Sequence, residues 1–206
     1  MEFIDVYDKA GNRVSTCERG SITEEIKKYS LKYGEANYAL PVVHLMLANT
    51  KGQLYIVKRG AKDENPFLFD KTVGGHVTAG ESFDESLKRE ALEEISVDII
   101  ISDIVNYPYV KRDVDLNKQA VVRPIDFQFW SKSIRMTSKG DSFIKRDRVL
   151  TYFGVYDGGL NFGDGEAVGY INISINDLKE EFKRHSSEYT EDLKSIIDKY
   201  EWYLSK

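Results

Sequence analysis

The chain has 206 residues, 41% of them hydrophobic and 31% charged, with a formal net charge of −5. That size and hydrophobic share suit one globular domain with short additions, and the acidic balance leaves no basic footprint for nucleic-acid phosphates. Cys17, the single cysteine, excludes an internal disulfide and a cysteine zinc cluster; residues 1–11 are polar and acidic, unlike a secretory signal, and the longest apolar run, 39–48, is far too short to span a bilayer, so the expectation is a cytoplasmic protein that binds neither DNA nor membrane.

In chain order, 3–7 and 13–17 read as two short strands around a turn at 9–12. A helix is predicted over 22–33, with Ser21 or Thr23 as its N-cap. A second hairpin joins 42–48 to 53–57 through the turn 49–52, and 81–94 is the strongest helix of the chain. Strands are expected at 99–109, 121–131, 149–156 and 170–173, with 131–148 as an irregular excursion. Asn176 or Ser174 would cap a helix through Arg184, and Thr190 another through Tyr203. No repeat or linker interrupts the sequence, so 1–206 is expected to be a single domain: an N-terminal extension over 1–36, a core over 37–184 and a C-terminal helix over 188–205. Strands mixed with a few helices suggest an α/β fold with a mixed sheet flanked by helices.

The chemistry is concentrated in 75–97. On a helix, Phe83, Leu87, Ala91, Ile95 and Leu92 cover one apolar half. Glu90 and Glu94, four residues apart, are neighbours on one face, with Glu93 adjacent. The plain alternative is a solvated acidic face, but these carboxylates fall at or inside the apolar edge, where charge is costly unless compensated. Three converging carboxylates also repel one another. A divalent cation is the natural compensation, and all-oxygen ligation selects a hard ion such as Mg²⁺ or Mn²⁺.

The spacing Gly75, Glu81, Arg89-Glu90-Ala91, Glu93-Glu94 and Val97 resembles the Nudix box. Ser96 is the one departure, standing where that family has glycine. The resemblance implies an α/β/α sandwich and attack of water on a diphosphate phosphorus, assisted by Mg²⁺ or Mn²⁺. It implies metal ligation by Glu90 and Glu94, joined in some members by Glu93 and a backbone carbonyl near Gly74, with Arg89 tied to Glu81 in a structural role beside Gly75. Glu93, Glu90 and Glu166, the last in a segment resembling the acidic loop before the final core strand, are its candidates for general base; Glu166 could equally be a charged turn residue.

Lys58-Arg59 closes a strand where related proteins place a phosphate-facing cation. Alternation sends the two side chains to opposite faces, so at most one can do so, and a solvated basic pair is the other reading. Lys145, Arg146 and Arg148 read as a surface charge run that could also bind phosphate. Tyr107, Tyr109, Phe143 and Tyr152 could stack on a base, although core or interface positions suit such aromatics too, and specificity is expected to lie within 107–118 and 131–148.

The N-terminal hairpin 4–14 and the stretches 54–60 and 69–76 resemble the isopentenyl-diphosphate isomerases and their hydrolase-like relatives. That branch's isomerases need a cysteine where this chain has Gly74, and N-terminal histidines that residues 1–43 lack. His76 matches their remaining histidine and reads as a loop or substrate-contact residue. The resemblance therefore points to a hydrolase acting on a small-molecule diphosphate, such as a nucleoside diphosphate linked to another moiety. An isomerase-like enzyme and a non-catalytic nucleotide-sensing domain are the alternatives. Family precedent and the additions at the two ends point to a homodimer.

Overall fold

The computed structural model describes residues 1–163 and 165–204; Asp164 and the last residue of the expected 188–205 helix lie outside them. The elements run β1 (Phe3–Tyr7), β2 (Arg13–Glu18), α1 (Arg19–Tyr33), β3 (Ala39–Ala48), β4 (Gln53–Arg59), β5 (Phe69–Asp70), β6 (Val73–His76) and α2 (Phe83–Ile95). They continue with β7 (Asp98–Ile101), α3 (Tyr107–Asp113), β8 (Gln119–Met136), β9 (Ser142–Val155), β10 (Ala167–Ser174), α4 (Ile175–His185) and α5 (Glu191–Leu204). The sheet is mixed, in the order β10-β4-β3-β9-β8-β7, with β3 parallel to β9, β7 parallel to β8, and β1, β2, β5 and β6 attached off this path.

Every residue of β3 is buried, as a strand covered on both faces requires. Val43, Leu45 and Leu47 face Leu87, Ala91 and Ile95 of α2, whereas Met46 and Ala48 face a second cluster with Leu178 of α4 and Leu193 and Ile197 of α5. Helices on both faces make this the expected α/β/α sandwich. A third cluster, Ile4, Val6, Ile22, Ile26 and Leu40, fixes the N-terminal hairpin and α1 to the same body. Among the described residues, no helix is long and apolar enough to cross a membrane.

β3 and β4 do not form a full hairpin ladder, for they pair only at Ala48–Leu54 before diverging. β6 then lies against β3 and β5 against β4. The Thr72 hydroxyl stitches the fork, accepting from the Leu47 amide at 2.9 Å and donating to the Tyr55 carbonyl at 2.8 Å.

Several expectations need correction. The first helix begins at Arg19, capped by the Glu18 carboxylate accepting from the Gly20 and Ser21 amides, so Ser21 and Thr23 lie inside it. The expected strand 99–109 ends at Ile101; the Asp103 carboxylate turns the chain by accepting from the amides of Val105 and Asn106, and Pro108 opens α3. The stretch 131–148 is no irregular excursion: β8 and β9 pair in antiparallel register out to Met136–Ser142. Leu92 is 60% exposed and takes no part in the apolar face of α2. Phe143 and Tyr152 are buried, and Tyr152 donates to Asp84 at the start of α2.

Helix α2 begins with a capping box, in which Ser82 Oγ accepts from the Glu85 amide and the Glu85 carboxylate accepts from the Ser82 amide. It ends at Ser96, whose φ of 54° and ψ of 38° are left-handed. A Cβ in this region is strained by about 1 kcal/mol, and Val97, fully buried, must turn here into β7. Ser96→Gly is therefore expected to stabilise the protein by up to about 1 kcal/mol in urea unfolding. A destabilised variant would remove the strain argument.

Candidate active site

Strand β6 and helix α2 approach unusually closely, and Gly75 permits it. A Cβ at Gly75 would stand 2.1 Å from the carboxyl carbon of Glu90, so any larger residue expels Glu90 from its place against the strand. Glu90 is 8% exposed; burial raises its pKa, opposed by the Arg89 guanidinium, which donates to it at 2.9 Å. Glu94, one turn on, has no ion pair of its own among the described residues. Burial pushes its pKa up to about 7, and its nearest polar contact is the Gly74 amide at 3.5 Å.

Arg89 organises this corner. It lies 3.2 Å from Glu81 and 3.1 Å from Glu93, and donates to the His76 carbonyl and the Thr78 hydroxyl, both at 3.2 Å. Glu81 also accepts from Ser86 at 2.5 Å. One guanidinium thus ties the loop after β6 to α2. Glu93 is held by Arg89 on the exposed side of the helix and does not line the cavity that Glu90 and Glu94 enter.

That cavity has a volume of about 140 Å³ and contains Gly74, Gly75, His76, Glu90, Glu94, Arg59 and Glu166 in its lining. Of the residues predicted as ligands, base or substrate contacts, all but Glu93 and Lys58 are therefore brought together, and the predicted structural pair Glu81 and Arg89 stands outside the lining. Lys58 turns to the opposite face of β4 and lies 4.3 Å from the centre of the Phe69 ring, while Arg59 is bound to Asp70 at 3.1 Å and to the carbonyls of Glu64 and Asn65. Glu166 forms an ion pair with Lys62, another lining residue. Tyr107, Tyr109, Phe143 and Tyr152 are not among the lining residues.

The sequence reading missed the opposite wall. Lys145, read as part of a surface run, is 4% exposed and lines the cavity with Asp147 and Arg135. Its neighbours Arg146 and Arg148 face the other way; the first pairs with Glu35 and the second packs over Tyr7 and Phe127. Alternation along β9 was the available signal, but it needed the strand to be recognised first. Asp147 is 2% exposed, and burial raises its pKa to about 6 despite Arg135 and Lys145. His44, also missed, lines the cavity; burial and then Lys71 lower its pKa to about 3, so it is neutral. His76 is likewise held neutral, chiefly by burial.

Behind this wall lies a buried ion network. Asp192, at the start of α5, contacts Arg135 at 3.0 Å and Lys71 at 3.5 Å, and accepts from Ser133 at 2.8 Å. Lys71 also meets Asp70 at 3.3 Å. Burial alone would raise both carboxyls, yet Lys71 and Arg59 hold Asp70 down to about 2, and Arg135 and Lys71 hold Asp192 well below the usual carboxylate range.

The donors suit a hard divalent cation. Among the described residues no three His, Cys, Asp or Glu side chains already converge as a metal cluster, but Glu90 and Glu94 supply two carboxylates to one cavity. Mg²⁺ commonly takes one or two protein carboxylates and fills its remaining positions with water and substrate phosphate. Glu94, desolvated and without an ion pair, is the group a cation would compensate.

The chain is similar to known proteins in sequence and in fold. A Nudix hydrolase of Nostoc sp. is 32% identical over 100 residues, covering 48% of this chain and 53% of that protein, and the chain spans about half the length of several curated relatives it matches. The crystal structure of DR0079 from Deinococcus radiodurans superposes with a TM-score of 0.65 at 19% identity, covering 96% of this chain and 98% of that one. The NUDIX domain of Shewanella oneidensis NrtR, solved with ADP ribose, gives 0.52 at 11% identity over 91% of this chain and 99% of its own; both likenesses concern the fold. The family model for the NUDIX domain matches residues 38–193, which include every element of the cavity except α1, and the chain belongs to that family.

Proposed function

We propose that this protein is a metal-dependent hydrolase that cleaves a diphosphate linkage in a small molecule, such as a nucleoside diphosphate joined to another moiety. The observation that carries the reading is the placement of Glu90 and Glu94 in one cavity with Arg59, Lys62, Lys71, Arg135 and Lys145. Two desolvated carboxylates for a cation stand among cations for phosphate. Mg²⁺ or Mn²⁺ held by Glu90 and Glu94, with the Gly74 carbonyl as a further donor, would neutralise phosphate charge and lower the pKa of a bound water.

The chain's own groups do the rest. Arg59 and its companions bind and orient the phosphates. Of the three candidates for general base, Glu90 and Glu166 line the cavity whereas Glu93 does not, which favours the first two; Glu90 is needed as a ligand, leaving Glu166 to take the water's proton. Arg89, Glu81 and Gly75 hold the scaffold. His76, neutral and inside the cavity, is placed to contact substrate.

The isomerase-like branch remains the proposed lineage, without its chemistry. Cys17, the chain's single cysteine, lies on β2 and does not line the cavity, and Gly74 offers no side chain for moving a proton. A single-domain organisation over 1–206, a cytoplasmic location and a homodimer complete the proposal; the solution mass by light scattering, near twice 23.6 kDa for a dimer, decides the last. The function is tested by a substrate panel with Mg²⁺ or Mn²⁺: nucleoside diphosphates and triphosphates, their sugar conjugates, dinucleoside polyphosphates, coenzyme A and isopentenyl diphosphate. Hydrolysis that chelation abolishes is expected for at least one nucleotide. Binding without any turnover would favour a sensing domain, and formation of dimethylallyl diphosphate would show the isomerase reading to be right.

A further inference from the structure

Three buried side-chain atoms that have no hydrogen-bond partner among the described residues line the same cavity: His76 Nε2, Arg135 Nε and Asp147 Oδ1. Buried polar groups are nearly always satisfied, and such a concentration marks a place that a polar ligand or water completes. Lys145 adds a fourth incomplete group. Its ammonium stands 3.6 Å from Glu64, too far for a hydrogen bond, and Arg135 Nε lies at the same distance from the same carboxylate. Arg135, Lys145 and Asp147 all come from the β8–β9 hairpin.

The cavity has an inner and an outer part. A more open cleft of about 470 Å³ adjoins it and shares Arg19, Arg59, Lys62, His76, Lys145 and Glu166. Arg135, Asp147, Lys71, Glu90 and Glu94 line only the inner part. A substrate therefore enters past Lys145 and reaches the carboxylate pair with its phosphates foremost. Behind Arg135 stands Asp192, at the start of α5, 3.0 Å away. The inner part, about 140 Å³, is less than a third of the outer cleft's 470 Å³, so the phosphates and a cation suit the inner part and the organic group the outer. Among the described residues the outer cleft is lined by no Phe, Tyr or Trp and by one apolar side chain, Ala61, so it suits a polar organic group better than a prenyl chain.

We propose that Arg135 and Lys145 form a terminal-phosphate subsite, and that the substrates are polar diphosphates ending in a free phosphate rather than ones capped by a second group. This rests on the hydrolase reading above and replaces its example substrate, a conjugated nucleoside diphosphate, with an uncapped one. Water's oxygen forms the new bond to phosphorus, the bridging P–O bond breaks with its electron pair leaving on the bridging oxygen, and one proton is released. The products are the organic monophosphate and inorganic phosphate.

The test uses the full chain with Mg²⁺ and compares ADP with ADP-ribose, an uncapped and a capped diphosphate of one nucleoside. Methylenediphosphonate, which cannot be hydrolysed at its bridge, is titrated by calorimetry as a probe independent of turnover. ADP is expected to exceed ADP-ribose at least tenfold in kcat/KM. Lys145→Met is expected to lower kcat/KM for ADP and to weaken methylenediphosphonate binding, each about tenfold, and Lys145→Arg to retain both. Equal or better turnover of ADP-ribose, or diphosphonate binding indifferent to Lys145→Met, overturns the subsite. Should Lys145→Met fail to fold, the wild-type ratio and the Lys145→Arg titration still decide. If neither nucleotide is hydrolysed while methylenediphosphonate binds in a Lys145-dependent way, the hydrolase reading fails and the subsite stands.

Discussion

Replacing Glu94 by Gln is expected to lower kcat about 10²–10⁴-fold on any diphosphate the wild type hydrolyses well, a loss of about 3–5 kcal/mol of transition-state stabilisation. Gln keeps the size of the side chain and can still accept from the Gly74 amide, so the change removes charge and little else. The same substitution should make the metal-free protein more stable by about 1–2 kcal/mol, because a desolvated carboxylate with no ion pair opposes folding. Opposite signs for activity and stability separate a ligand from a structural carboxylate: a residue that merely holds the helix would lose both. Steady-state kinetics and urea unfolding without metal read the two effects. A fall in kcat below threefold would end the assignment of Glu94 to the metal.

The second large effect concerns Asp192. Asp192→Ala leaves Arg135 and Lys71 buried without their shared counter-charge, and removing one partner from a buried ion group costs about 3–5 kcal/mol. Asp192→Asn can still accept from Ser133 but restores no charge, so it should recover only a small part. The pH dependence has a definite sign. Asp192 and Asp70 have carboxyls lowered by Arg135, Lys71 and Arg59 against the opposing effect of burial. Their contribution is present above the unfolded carboxyl value of ~3.9 and is lost as pH falls below it. The gap between wild type and Asp192→Ala should therefore be constant from pH 5 to pH 8 and narrow below about pH 4. A gap under 1 kcal/mol at pH 7 would mean that the network contributes nothing to folding.

The contrast between these two residues explains what could be read from the chain alone. Glu94 was legible because α2 carries its own ruler: Leu87, Ala91 and Ile95 recur at helical spacing, and a carboxylate on their edge is conspicuous. Ser96 stood out only as a departure from a glycine position, and the structure gives it the left-handed backbone that glycine would adopt freely. Along β9, by contrast, Lys145, Arg146, Asp147 and Arg148 are all charged, so polarity gives no sign of which face is inside. Only the partners decide it, and these lie far off in sequence, Glu64 for Lys145 and Glu35 for Arg146. The turn at Asp103 failed for a different reason, because a single carboxylate redirecting two amides outweighs the apolar run on either side. Arg89 was foreseen as Glu81's partner, but not its additional hold on Glu90 and Glu93, for which loop and helix must both be in place.

The fork between β3 and β4 has a consequence for how such a protein can diversify. Thr72 joins the diverging strands through one hydroxyl, and the chain between Arg59 and Phe69 is tied separately to the end of β8, where Asn65 and Met136 exchange hydrogen bonds. That chain supplies Lys62 and Glu64 to the site while carrying none of the core. Lengthening a surface loop costs only about 0.6 kcal/mol per doubling. Insertions there can reshape the entrance while the carboxylate pair and the buried network stay fixed. In descendants of this fold, selectivity can therefore change by splicing at one opening while the reaction centre is inherited whole.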